Sequence, residues 1–419
     1  MRQAVAIGSM VWALFAWPMP SASAQNIKIA YIDSFSGMMA DVGDVATRQL
    51  RFAIERINNQ KGGVLNGRKL ELVLYDNKFS AQETVLAAQK AIDAGARIIT
   101  QGNGSSIAAA ISDFVTKYNE RHPGREVIYL NFAAIDPILT NEKCSYWHFR
   151  WDAHSDIKLQ ALTNYIKSNQ DIKNVYLINQ DYSMGQAVRK TARDMLSDKR
   201  SDIKIVGDEL HPIGRISDFA PYIAKIKASG ADSVITANWG SDLALLIKAA
   251  GEASLHVNWF TFYAGGNGSP TAIKQANPEP GRVFYVVDGY ANLGGKEAVL
   301  LEEEFRRTNG GKSIIYPQVI EMVEMLAIAI NSSKTDDPKQ LANALSKMKY
   351  TTIYGDEAFF RAADHQFFQD MYVASFVPLG GEVKFDEESS GWGWKTIAKI
   401  PASDTLLPTT CKMQNHPGQ

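Results

Sequence analysis

Ala96–Phe114 reads ARIITQGNGSSIAAAISDF. Arg97–Thr100 is apolar and β-branched, which predicts a buried strand. Gly102 and Gly104 make a turn. A helical pattern starts near Ile107, so Ser105 or Ser106 occupies the N-cap position. A glycine turn opening onto a helix offers free backbone N–H groups beside the positive end of the helix dipole. That arrangement suits a carboxylate or a phosphate.

The same strand–turn–helix rhythm extends in both directions. Upstream, strands are predicted at 26–31 and 70–75, with helices at 44–58 and 81–94. Downstream, the helix runs to Tyr118 and a strand follows at 127–131. Strands alternating with helices over short links predict a parallel, doubly wound sheet. After Phe149-Arg150-Trp151 the rhythm restarts, with strands at 174–179, 204–208, 233–236 and 259–263 and helices between them. A strand at 282–287, helices at 296–308, 316–331 and 338–347, β structure over 356–376 and an aromatic segment at 391–400 complete the chain. The expected fold class is α/β with two lobes, each a doubly wound, mostly parallel sheet.

Met1–Ala24 carries one positive residue, Arg2, then an apolar run to Trp17, then Ala22-Ser23-Ala24. This is the pattern of a secretory signal peptide cleaved before Gln25. The apolar run is short of the ~20 residues that span a bilayer. The expected product is an exported, periplasmic protein without a membrane anchor. The 44 basic and 45 acidic residues of the whole chain nearly balance. Such balance argues against a nucleic-acid partner. Two cysteines, Cys144 and Cys411, form one disulfide in an oxidising compartment, or else remain two free thiols.

Catalytic signatures are missing. No HExxH or CxxC occurs, and the nucleophile elbow lacks its first glycine at Tyr182-Ser183-Met184-Gly185. Gly310-Gly311-Lys312-Ser313 ends like a phosphate loop but lies between predicted helices, so it reads as a helix C-cap. Gly102-Asn103-Gly104 begins a dinucleotide fingerprint whose third glycine position holds Ile107. No enzyme activity, cofactor or metal is expected. Ligands of open α/β sheets bind outside the carboxyl ends of the strands, and two facing lobes make a cleft there.

On these pieces the chain resembles the periplasmic solute-binding proteins of ABC importers, of the branched-chain amino acid type. The resemblance runs from about Ile27 to Phe385. It rests on IKIAYIDSFSG, INNQKGGVLNGRKLELVLYDN, GSSIAAAISDF, FAAIDPILT, FRWDAHSD and YGDEAFF. It implies a Venus-flytrap fold with three hinge crossings, placed near 149–152, 286–289 and 352–355. The first lobe is then 26–149 plus 290–351, and the second 153–285 plus 356–419. It also implies a monomer that delivers its solute to membrane permease subunits. A sensory module of the same fold is the alternative.

The family holds its ligand's carboxylate at the serine turn, matched here by Ser105, with Ser106 beside it. The next turn reads Ala133-Ala134-Ile135, where Ile135 replaces the family's threonine. The acid that pairs with the ligand's ammonium falls on Ala264. A cleft aromatic is matched by Trp239, and two flanking tyrosines become Val42 and Met184. A buried ammonium without its carboxylate is costly. The expected ligand is therefore an apolar or aromatic carboxylate, with a hydrophobic or branched-chain amino acid as the family's own precedent. Arg150, at the first crossing, is expected as a hinge ion-pair partner.

Overall fold

The computed structural model describes residues 25–276 and 279–413. The signal peptide expected at Met1–Ala24 lies outside the described residues. The first part of the chain runs β1 (Ile27–Asp33), α1 (Ala40–Glu55), β2 (Leu70–Asp76), α2 (Ala81–Asp93), β3 (Ile98–Gln101), α3 (Ser105–Arg121), β4 (Ile128–Asn131) and β5 (His148–Arg150). These five strands lie parallel in the order β2-β1-β3-β4-β5. Their two-residue period sends Ile29 and Tyr31 to one face and Ala30 and Ile32 to the other. Both faces are covered, so the strands read as continuous apolar runs and not as alternating ones.

The second part repeats the plan. It runs α4 (Ser155–Ser168), β6 (Asn174–Gln180), α5 (Ser183–Lys199), β7 (Lys204–His211), α6 (Ala220–Ser229), β8 (Ser233–Thr236), α7 (Ser241–Glu252), β9 (Asn258–Thr261), α8 (Ser269–Ala276) and β10 (Val283–Val287). Val175, Leu177 and Phe260 pack on one face of this sheet, Tyr176, Ile178 and Trp259 on the other.

The chain then returns to the first lobe through α9 (Lys296–Thr308), α10 (Pro317–Ser333) and α11 (Pro338–Leu345). α10 is buried along nearly its whole length, which explains why it is apolar almost all round. The glycines after α9 act as the expected C-cap: Gly311 N donates to Arg306 O at 2.8 Å. Next come β11 (Lys349–Thr351), β12 (Glu357–Arg361) and β13 (Gln366–Phe368). They extend the first sheet, because β13 pairs with β5 through Gln366 and Arg150. Only β14 (Met371–Pro378) and β15 (Trp392–Ile400) join the second sheet, at its β10 edge.

This corrects one expectation. The third passage between sheets lies between Phe368 and Met371, not at 352–355, and residues 357–368 belong to the first sheet. Two sheets with open edges accept a hairpin equally well on sequence pattern alone, so β12–β13 gave no sign of its side. His148–Arg150, Ser269–Ala276 and Lys349–Thr351 are further elements too short to show a period.

Past β15 the tail holds to the second lobe, where Ala402 N donates to Asp370 Oδ1 at 2.8 Å. It then reaches the first lobe. Leu407 O accepts from Arg361, Thr410 N donates to Asn141 Oδ1 at 2.9 Å, and Cys411 is bonded to Cys144 with a Cα–Cα distance of 5.7 Å. The bond spans 267 residues of sequence. A disulfide that closes a long loop constrains the unfolded chain, with a typical net stabilisation of about 2–4 kcal/mol. The double variant Cys144→Ser/Cys411→Ser is therefore expected to melt about 4–8 °C lower. Differential scanning calorimetry checks this, and an unchanged Tm would contradict it. Among the described residues no helix is long and apolar enough to cross a membrane, and no group of three His, Cys, Asp or Glu could hold a metal ion.

Candidate functional site

The turn after β3 is built by its glycines. A Cβ on Gly102 would lie 2.5 Å from the buried Phe132 ring. Gly104 has φ +89°, a region that other residues rarely adopt, and its Cβ would lie 2.9 Å from the Phe79 ring. Gly104 is the N-cap, and α3 starts at Ser105. This corrects the expectation that a serine caps the helix. With the cap taken by glycine, the Ser105 hydroxyl is released from that role and accepts instead from Asp136 N at 3.2 Å. The N–H groups of Ser105, Ser106 and Ile107 precede the first intrahelical bond, Ala108 N to Gly104 O.

Behind the turn lies Asp33, fully buried at the end of β1. Its Oδ2 accepts from Asn103 Nδ2 at 2.9 Å, and its Oδ1 from Ser34 N at 2.8 Å. Burial pushes its pKa up to about 6, against the pull of the donors around it.

The neighbouring turn, Ala133–Ile135, leaves the end of β4. Asn131 Oδ1 accepts from Ala134 N at 2.9 Å, and Arg150 Nη1 donates to Asp136 O at 2.6 Å. Arg150 also donates to Gln366 Oε1 at 2.7 Å and to Thr140 Oγ1. Among the described residues its hydrogen bonds go to neutral oxygens, so it braces this turn and is not the expected ion-pair partner. The second lobe supplies Tyr182 from the β6–α5 turn, Met184 from the first turn of α5, Trp239 from the β8–α7 turn and Tyr263 from beyond β9. Tyr316, just ahead of α10, completes the wall.

Contacts join the lobes around this space. Tyr263 OH donates to Ala133 O at 2.9 Å, and Asn267 Nδ2 donates to Tyr316 OH at 3.3 Å. The Phe79 and Trp239 rings meet edge-on at 5.8 Å. Within the second lobe, Trp239 Nε1 donates to Tyr182 OH at 3.0 Å. With the lobes in contact the walls leave a cavity of only about 20 Å³, room for about one water molecule.

Of the residues expected at the site, the structure brings together Ser105, Ala133, Ile135, Met184 and Trp239. It leaves three outside. Ser106 is exposed on the far side of the helix start. Val42 packs instead where the lobes touch, with its Cγ2 3.6 Å from where a Gly240 Cβ would lie. Ala264 is buried in the second lobe's core, and its neighbour Tyr263 faces the cavity. Tyr182, Tyr263 and Tyr316 were not among the expected residues. Tyr182, a loop tyrosine, left facing the cleft and ordinary packing both open, and Tyr316 read as the start of a helix. Burial pushes all three tyrosines well above their ordinary pKa, so they stay protonated. Among the described residues lining the cavity, none carries a charged side chain.

A pH effect follows from Asp33. Its folded-state pKa lies above its unfolded value, so its charge weakens the folded state above about pH 6, and this penalty is relieved as the pH falls. A carboxylate held at the same turn adds a second negative charge and favours the protonated form. Affinity for an acid should therefore rise about threefold to tenfold between pH 8 and pH 5.5. Asp33→Asn should flatten that profile in isothermal titration calorimetry. Equal slopes in the two proteins would contradict the assignment.

Comparison with known proteins places this geometry in context. The family model described as periplasmic binding protein matches residues 26–381. A Leu/Ile/Val-binding protein homolog 4 of Brucella abortus is 32% identical over 411 residues, covering 94% of each chain. A leucine-, isoleucine-, valine-, threonine- and alanine-binding protein of Pseudomonas aeruginosa is 23% identical, over 82% of this chain and 88% of its own. Among solved structures, the closed conformation of the protein so named from Brucella ovis superposes with a TM-score of 0.82 at 26% identity, covering 93% of this chain and all of that one. An R. palustris solute-binding protein in complex with benzoate gives 0.77 at 16% identity, covering 93% and 100%, a likeness of fold.

Proposed function

The chain belongs to the periplasmic binding proteins of the branched-chain amino acid type, and on that footing we propose that it captures a small apolar or aromatic carboxylate between its lobes. In this reading the solute is passed to the permease of an ABC importer. The protein works as an exported monomer without catalysis or cofactor.

One observation carries the reading. The cavity joins the N–H groups of the α3 start and the Ser105 hydroxyl to walls made of Ile135, Met184, Trp239 and three tyrosines, with no charged side chain in the lining. The helix start suits a carboxylate. The aromatic and thioether walls suit a ring or a branched chain. The lining offers an ammonium no carboxylate. The names of the relatives favour a hydrophobic amino acid, and the uncharged lining argues for an acid without the amine. The lobe contacts through Tyr263 and Asn267 support capture by closure, in which the ligand adds to contacts already shared by both lobes.

Native mass spectrometry of the protein purified from its own periplasm tests the proposal. The expected result is a co-purified acid that lacks an amine and is released unchanged. A co-purified amino acid, or chemical turnover of the solute, would contradict it.

A further inference from the structure

Four hydroxyls line the cavity, and the oxygens of three are already occupied from behind. Ser105 Oγ accepts from Asp136 N, Tyr182 OH from Trp239 Nε1, and Tyr316 OH from Asn267 Nδ2. Backbone, indole and amide N–H groups are donors only, so in every case the hydroxyl is the acceptor. Its own proton has no acceptor among the described residues. Tyr263 differs, because its proton goes to Ala133 O. The lining therefore holds three unspent protons where a lone carboxylate on Ser105 and the helix start would leave two of them, on Tyr182 and Tyr316, unmatched. Buried donors without partners are costly, so a matching ligand carries acceptors for them.

Resting on the reading of the cavity as an acid site, we propose that Tyr182 and Tyr316 select a second oxygen on the ligand, and that the preferred solute is an apolar oxo acid. A carbonyl oxygen has two lone pairs and no proton to place, which fits two donors and no charge. An ammonium has no lone pair to accept either tyrosine proton. A methylene leaves the tyrosine protons unpaired.

Three compounds on one skeleton separate these cases: phenylpyruvate, 3-phenylpropionate and phenylalanine. Calorimetry of the full chain should find phenylpyruvate bound at least about tenfold more tightly than 3-phenylpropionate. Tyr182→Phe and Tyr316→Phe should each reduce that ratio while 3-phenylpropionate still binds, which serves as the control for folding. Equal binding of the two amine-free acids would overturn this inference and leave the acid site standing. A ratio unchanged in both variants would do the same. Binding of phenylalanine alone would overturn the acid site and this inference together.

Discussion

Leucine is expected to bind at least about a hundredfold more weakly than 4-methylpentanoate, the same skeleton without its amine. The reason is that the nearby acids lie outside the cavity lining. Asp33 accepts from Asn103 and Ser34 behind the turn. Asp152 pairs with Lys158 at 2.7 Å. Asp288 Oδ2 accepts from Gln369 at 2.9 Å and Asp136 Oδ1 from Ile138 N at 3.0 Å, while Asp288 Oδ1 and Asp136 Oδ2 are buried without a hydrogen-bond partner among the described residues. Asp181 is exposed and accepts from Gln186 at 3.0 Å. None of these five lines the cavity. An ammonium taken from water into this space would be paired only with neutral groups. A loss of about 2.7 kcal/mol corresponds to the hundredfold difference, and the penalty for an unpaired buried charge is at least that size. Titration calorimetry of the two compounds reads the difference directly, and leucine binding as tightly as the acid would contradict it.

Gly102→Ala is expected to lose at least about tenfold in affinity and to melt several degrees lower, since overpacking a filled core costs about 1–3 kcal/mol. The added methyl would meet three atoms of the Phe132 ring at 2.5–2.7 Å. That ring cannot retreat freely, because it lies between Tyr31 at 6.0 Å and Tyr316 at 5.9 Å between centroids. Either the turn carrying Ser105 moves or the ring pushes Tyr316, and both line the cavity. Gly281→Ala is the control: nothing lies within 4 Å of its Cβ, although its φ of +85° strains it too. It should cost stability without costing affinity. An intact affinity in Gly102→Ala would show that the turn is not part of the site.

Much of this was legible in the chain. The strand–helix rhythm set the two α/β lobes, since apolar runs between short links leave few other solutions. The Gly-x-Gly-Ser turn, which lines the cavity, stood out for a physical reason, the helix start behind it. What stayed hidden depended on geometry with no local signature. The positive φ of Gly104 moved the cap by one residue and freed the Ser105 hydroxyl. Tyr263, not Ala264, faces the cavity because the chain beyond β9 turns out of the strand's period. Tyr182 and Tyr316 come from different lobes, and nothing near either in sequence marks their meeting. The side taken by β12–β13 is fixed by contacts between residues far apart in the chain, Gln366 with Arg150 and Phe360 with Phe149 and Trp151.

In the proposed reading a carboxylate is held at the start of α3 by Ser105, a contact whose loss can be measured. Its most direct measurement is the affinity of Ser105→Ala for 4-methylpentanoate, read by calorimetry beside a thermal melt of the same sample. A lost hydrogen bond to a charged group predicts at least about a tenfold weaker Kd with the folded protein otherwise intact. An unchanged Kd, or a bound acid found in a crystal away from Gly102–Ile107, would contradict it.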